Sequence, residues 1–197
     1  MAIDRKKIIE AMSQVKVSGN EEGLIPAFGV LVNQLPVTMW NNFAELVVNS
    51  VSKDLVKPAQ YLLMNAGNEC GYHTGHGIIT SEEWKAVVEP MIENLPEDVL
   101  HGAFAVFTAW GWAKAEVIKL VPDEMMVVRA YDYYEADVVE YGRSKLMSAY
   151  MIQGVSAAFM DLAYGKPYPD GFQTFKCEQV KGIECGDDYG EFVVTRV

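Results

Sequence analysis

Hydrophobic and polar positions along this chain switch between two periods, and the switches mark its elements. Residues 4–15 set Ile8, Ile9 and Met12 on one helical face, and a polar break at 19–23 follows. Leu24 to Leu35 (LIPAFGVLVNQL) is rich in strand formers, with Pro26 near its start, where an edge strand tolerates a missing N–H. Past Pro36, Thr38 is placed to cap a helix through roughly Ser50, with Trp40, Phe43, Leu46 and Val47 at helical spacing. A third helix starts near Pro58, a residue allowed in a first turn, and runs through YLLMNAGNECGYHTG. Gly67, Gly71 and Gly75 recur there every four residues. Each costs about 1 kcal/mol relative to Ala in a helix interior, so three need a reason. Either another backbone packs closely on them, or the helix end frays into a ligand-facing loop. Ser81-Glu82-Glu83-Trp84 opens a fourth helix with acids in its first turn, kinked at Pro90. A fifth starts at Pro96 and carries Val99, Phe104, Ala105 and Phe107 towards Gly111.

The period then falls to two. Lys114–Val121 and Met125–Tyr134 alternate on either side of Pro122-Asp123-Glu124, a hairpin pattern. Lys145 to Tyr164 returns to helix, apolar nearly all round (Leu146, Met147, Met151, Ile152, Val155, Phe159, Met160, Leu162), with small residues at Ala149, Gly154, Ala157 and Ala158. Gly165 and Pro167 end it. A helix apolar on every face is buried, so this one is expected at the centre, lying against the sheet. In the tail, Phe175, Cys177 and Gln179 alternate with charged residues, Gly186-Asp187-Asp188 is a turn, and Phe192 and Val194 share a face. The order predicts one α+β domain over residues 1–197: an antiparallel sheet with helices packed on one side, and a long buried helix before a C-terminal β-hairpin.

Composition narrows the partners more than the fold. The chain has 197 residues, half of them hydrophobic, which suits one domain with one core. Acids outnumber bases 27 to 16, a net charge of −11, which argues against nucleic acid or an anionic membrane surface as partner. No apolar run reaches the roughly 18 residues of a membrane span, and the charged start is unlike a secretory signal. Three cysteines make no disulfide framework, so a reduced, cytoplasmic protein is expected.

The tail carries a more specific pattern. Its glycine, Asp187, Phe192 and Val194 fit the ending Glu-x-x-Cys-x-x-x-Gly-Asp-x-x-Cys-x-Phe-x-Val of the 4-vinyl reductase domain family. That family includes hydrocarbon-binding proteins and phenol-sensing modules of bacterial transcription activators, and its fold resembles subunits of the Golgi transport particle. The resemblance covers roughly residues 55–197, and Trp110-Gly111-Trp112 fits the family's glycine at the corner before the hairpin. It implies a ligand-binding core over 55–197, leaving 1–54 as a strand and helices suited to homodimerisation. In zinc-containing relatives the glutamate and cysteines, with an earlier cysteine, hold a structural metal. On this register those positions are Gln179, Gly182 and Gly190, which implies that the metal site is lost.

Two clusters carry candidate chemistry. Cys70-x-x-His73-x-x-His76 has ligand types suited to zinc or iron, with Cys177 or Cys185 as further suppliers. On an ideal helix Cys70 and His76 diverge by about 120°, so the glycines would have to turn the chain. Ordinary buried histidines and unpaired structural thiols account for the same residues. The aromatic and methionine-rich residues of the central hairpin and buried helix form the second cluster. By the resemblance, a hydrophobic or aromatic ligand would sit near Trp112, Tyr131, Met151, Val155 and Phe159, residues that equally build a filled core. Asp132, Glu135 and Asp137 suit acid–base work or a solvated helix cap. No P-loop, GxSxG, HExxH or dinucleotide fingerprint is present. Three readings therefore stay open: a sensor or carrier enclosing a small hydrophobic molecule, a metal-dependent or accessory enzyme of tetrapyrrole or aromatic metabolism using Cys70, His73 and His76, and a homodimeric assembly subunit.

Overall fold

The computed structural model describes residues 3–137, 142–143 and 146–197. Among these residues six α-helices and six strands follow one another as α1 (Arg5–Met12), β1 (Pro26–Ala27), β2 (Val30–Leu31), α2 (Val37–Asn49), α3 (Val56–Thr80), α4 (Glu82–Val87), α5 (Glu97–Ala109), β3 (Ala113–Val121), β4 (Met125–Tyr133), α6 (Tyr150–Tyr164), β5 (Phe175–Lys181) and β6 (Gly190–Arg196). The main sheet has the order β3-β4-β6-β5 and is antiparallel throughout, so the two hairpins join through β4 and β6. Along that seam the register runs without a break from Met125 opposite Thr195 to Ala130 opposite Gly190. Alternation puts Ala115, Val117, Met126, Val128, Ala130, Phe192 and Val194 on the buried face. They meet Phe104 and Phe107 of α5 and Ile152, Val155, Phe159 and Met160 of α6 in one core. The fold is the α+β arrangement that the periods predict.

The glycines of α3 resolve in favour of close packing. The helix runs unbroken to Thr80. A Cβ built on Gly67 would stand 2.9 Å from the Cα of Met151, and one on Gly71 2.8 Å from the Cα of Val155. The approach is mutual, because a Cβ on Gly154 of α6 would lie 2.3 Å from the backbone N of Asn68 and the carbonyl O of Met64. The sheet thus supports α6, and α6 carries α3 backbone against backbone.

Several boundaries differ from the sequence pattern. Leu24–Leu35 is not an edge strand of the sheet; only β1 and β2 pair, as a separate two-stranded ribbon. Its turn puts Phe28 and Gly29 at positive φ (52° and 72°), and the Phe28 ring is buried 4.2 Å from that of Trp110. That side chain serves the helical core instead of a strand face. Pro90 does not kink α4, which has ended at Val87; it lies in the 3₁₀ turn Glu89–Met91. The central helix begins at Tyr150, not at Lys145, which lies outside the described residues; Leu146 to Ala149 are non-helical. The reason is a set of side-chain acceptors for the entering backbone: Ser148 N–H donates to Glu184 and Ala149 N–H to Gln179. Among the described residues, no helix is long and apolar enough to cross a membrane.

Because the Gly154 contact is with backbone, which cannot rotate away, Gly154→Ala is expected to destabilise the protein by roughly 3 kcal/mol. This loss outweighs the about 1 kcal/mol that Ala contributes through helix propensity. Urea denaturation reads it directly; an unchanged midpoint would show that the two helices separate without cost.

Candidate functional site

Cys70 and Thr74 lie beside the glycine seam of α3 and line, with Trp110, Trp112, Val155 and Phe159, an apolar crevice where α3, α6 and the corner from α5 to β3 meet. Its free volume is about 20 Å³, little more than one water needs. A second gap of about 20 Å³ lies past Gly75 and Phe159, bounded by Val99 and Leu162. The indole N–H of Trp110 is buried with no hydrogen-bond partner among the described residues, a donor left open at an apolar wall. Three of the five predicted ligand residues, Trp112, Val155 and Phe159, are brought together here. Met151 lies outside the crevice, its backbone against Gly67. Tyr131 stands on the opposite, outer face of the sheet, where its hydroxyl donates to Glu116 Oε1 at 2.7 Å.

The candidate metal ligands do not converge. Cys70 turns into the crevice, where burial pushes its thiol pKa up. His73 and His76 instead hold Tyr168: the His76 ring stacks on it at 3.8 Å, and His73 Nδ1 is 2.8 Å from its hydroxyl. His73 Nε2 is 3.1 Å from Glu69. Cys177 lies on β5 and Cys185 in the turn before β6, each thiol again pushed up by burial. Among the described residues, no three His, Cys, Asp or Glu side chains are grouped to hold a metal ion.

Gln179, Gly182 and Gly190 do share one neighbourhood, filled by hydrogen-bonded side chains. The Tyr133 hydroxyl donates to Glu184 Oε2 and accepts from the Ile183 N–H at 3.0 Å. Gln179 Nε2 donates to Glu184 Oε1 at 2.8 Å. A Cβ on Gly182 would stand 2.8 Å from both Gln179 Nε2 and Glu184 Cδ, and one on Gly190 2.7 Å from the Tyr133 ring. The two glycines therefore make room for Tyr133 and Glu184. Tyr133 reaches the inner face because a β-bulge adds one residue to β4 between Ala130 and Tyr133, reversing the alternation.

Glu135 is the second buried acid of this region. Its Oε1 accepts from Trp40 Nε1 (2.9 Å) and Met151 N–H (2.8 Å), and its Oε2 from Ile152 N–H (3.1 Å), so it caps α6 from a distance. Burial, with a smaller contribution from the nearby Glu184, raises its pKa to about 7 against these hydrogen bonds. The expected helix cap is thus present at Glu135 but is buried and not solvated, because its partners come from α2 and α6, distant in sequence.

No family model and no curated protein sequence matches the chain. Solved structures do. The chain is similar to the phenol-responsive sensory domain of the transcription activator PoxR, determined with phenol, at a TM-score of 0.72 and 12% identity, covering 100% of this chain and 92% of that one. It is also similar to trafficking protein particle complex subunit 3 from Naegleria fowleri covalently bound to palmitic acid, at a TM-score of 0.58 and 14% identity over 82% and 92% of the two chains. A vinyl-4-reductase family protein from Methanocaldococcus jannaschii aligns at a TM-score of 0.48 and 14% identity over 98% and 92%. The chain shares the fold of the first two.

An acid whose folded pKa is raised lowers stability as pH rises through the window between the two pKa values. In the unfolded chain Glu135 ionises near 4.5, and in the folded chain near 7. Its titratable neighbours are Glu184, Tyr134 and Tyr150. Stability relative to Glu135→Gln is therefore expected to fall by roughly 3 kcal/mol between those two values. Parallel denaturation curves at pH 4.5 and 7.5 measure it; equal differences at both would place the Glu135 carboxyl in contact with water.

Proposed function

We propose that this chain is a small-molecule-binding domain that encloses an apolar or aromatic molecule, as a sensor or a carrier. The observation that carries the reading is the crevice at the α3–α6 seam: aromatic walls from Trp112, Phe107 and Phe159, and one buried, unpaired donor on Trp110. Such a wall favours a flat ring, and the donor favours a ring bearing an oxygen. The shared fold with a sensory domain determined with phenol supports the same ligand class. A cavity that holds benzene measures about 150 Å³, so binding requires the walls of this 20 Å³ crevice to part. Thr74 and the Trp110–Trp112 corner form that wall. On this reading Cys70 contributes packing and not catalysis.

A homodimer through the N-terminal region is a second, compatible reading. On α2, Trp40, Ala44, Val47 and Val48 pack inward with Leu63 and Tyr150. The adjacent stripe of Met39, Phe43 and Leu46 is 43%, 49% and 63% exposed, so the apolar arc of this helix is wider than the part its own chain covers. Leu31 and Leu35, 65% and 62% exposed, precede it. A second copy of α2 is the self-complementary partner for such a stripe.

Titration with phenol and with toluene, followed by tryptophan fluorescence and thermal unfolding, tests the first reading. Phenol is expected to bind and raise Tm, toluene to bind more weakly, and Trp110→Phe to bring the two together by weakening phenol about tenfold. If neither compound shifts the unfolding curve, the crevice is part of the core. For the second reading, light scattering is expected to give a dimer mass for the native chain and a monomer mass for the double variant Phe43→Glu, Leu46→Glu. A native monomer at high concentration removes it.

A further inference from the structure

A cavity of about 280 Å³ lies between α2 and the start of α6, away from the apolar crevice. Since about 150 Å³ holds a benzene molecule, this volume accommodates roughly ten non-hydrogen atoms. Two of its lining residues are carboxylates almost wholly out of water, Glu135 at 8% and Glu184 at 3% exposure. Glu135 accepts two hydrogen bonds at Oε1 and one at Oε2. Glu184 likewise accepts two at Oε1, from Ser148 and Gln179, and one at Oε2, from Tyr133. A carboxylate offers about four acceptor positions, so among the described residues each Oε2 has room for one more donor. The donors among the described residues are neutral, and Arg143 is the one base among the described lining residues, beside the acids Glu45, Glu135, Asp137 and Glu184. Trp40 and Tyr150 add aromatic surface, which attracts cations as well as apolar groups.

We propose that this cavity binds a small organic cation, a protonated amine on an aromatic or aliphatic body. Its N–H groups take the open acceptor positions of Glu135 and Glu184, and its body lies against Trp40 and Tyr150. Among the described residues no buried base faces these two acids, and a cation held there offsets the cost of burying their charge where a neutral molecule of the same shape does not. The site is independent of the crevice and does not rest on the reading given for it.

The test uses the full chain near pH 8 with two probes of matched shape, benzylammonium chloride and benzyl alcohol, in calorimetry and thermal unfolding. Benzylammonium is expected to bind one to one and to raise Tm by about 5 to 10 °C at roughly a hundredfold excess over Kd, with benzyl alcohol at least about tenfold weaker. Val48→Phe, which fills the cavity from α2, and Asn49→Trp, which covers it from an exposed position, are each expected to weaken benzylammonium about tenfold or more, while Trp110→Phe leaves it unchanged. Should Val48→Phe fail to fold, Asn49→Trp carries the test alone. Equal affinity for the two probes, no response to benzylammonium at millimolar concentration, or binding undiminished by the folded cavity variants would each overturn the proposal.

Discussion

The contact on which the rest of the molecule depends is the seam between α3 and α6, where glycines on both helices let the two backbones meet. Gly67 and Gly71 face α6, and Gly154 faces the backbone of Met64 and Asn68. At that separation each helix excludes water from the other's peptide groups, and polar side chains in the seam must be partnered internally. Asn68 meets the requirement by donating to the Gly154 carbonyl at 3.3 Å and to Asp161 Oδ2 at 3.2 Å. Since α6 also forms the layer against the sheet, a displacement along this seam would reach both the crevice beside Gly71 and the acid-capped start of the helix.

The two regions that surround α6 differ in chemistry because they solve different problems. At its start the chain leaves a non-helical segment, and the first amides need acceptors; Glu135, Glu184 and Gln179 supply them from the side. Along its middle the helix faces mostly apolar side chains and the glycine face of α3, so the nearby space is small. The fold separates a polar cavity from an apolar crevice on one helix. Apolar packing and the burial of carboxylates thus stay in different environments, each with its own local dielectric.

Much of this architecture is legible in the sequence because it rests on local periods. The two hairpins, the all-round apolar helix and the four-residue glycine repeat each signal a structural requirement that neighbouring residues express. What escapes is whatever depends on a count changed by one or on a distant partner. The bulge after Ala130 turns Tyr133 inward, while Tyr131 keeps to the outer face, so alternation alone does not tell which tyrosine is buried. Phe28 reads as a strand residue because its partner, Trp110, lies on the far side of the chain. Cys70, His73 and His76 show the same limit. Spacing three apart permits neighbours on a helix, yet Cys70 faces one environment and the histidines another.

The same dependence on distant partners explains why both ends of α6 use carboxylates although the helix dipole favours only one of them. Near the start, Glu135 lies at the positive end, so dipole and hydrogen bonds both act against the burial that raises its pKa. Asp161 sits in the last turn, at the negative end, where a cation would be the favourable choice. It is fully buried there, and burial raises its pKa too. Its compensation comes from the returning chain: Phe175 N–H donates to Oδ1 at 2.8 Å and Gln173 N–H to Oδ2 at 3.1 Å. A lysine in this position would complement the dipole but leave those two amides without an acceptor. The carboxylate is retained because β5 has to be tied to the helix it follows, and the cost of placing an acid at the wrong end of a dipole is smaller than that of two unpaired amides at the entrance to the sheet.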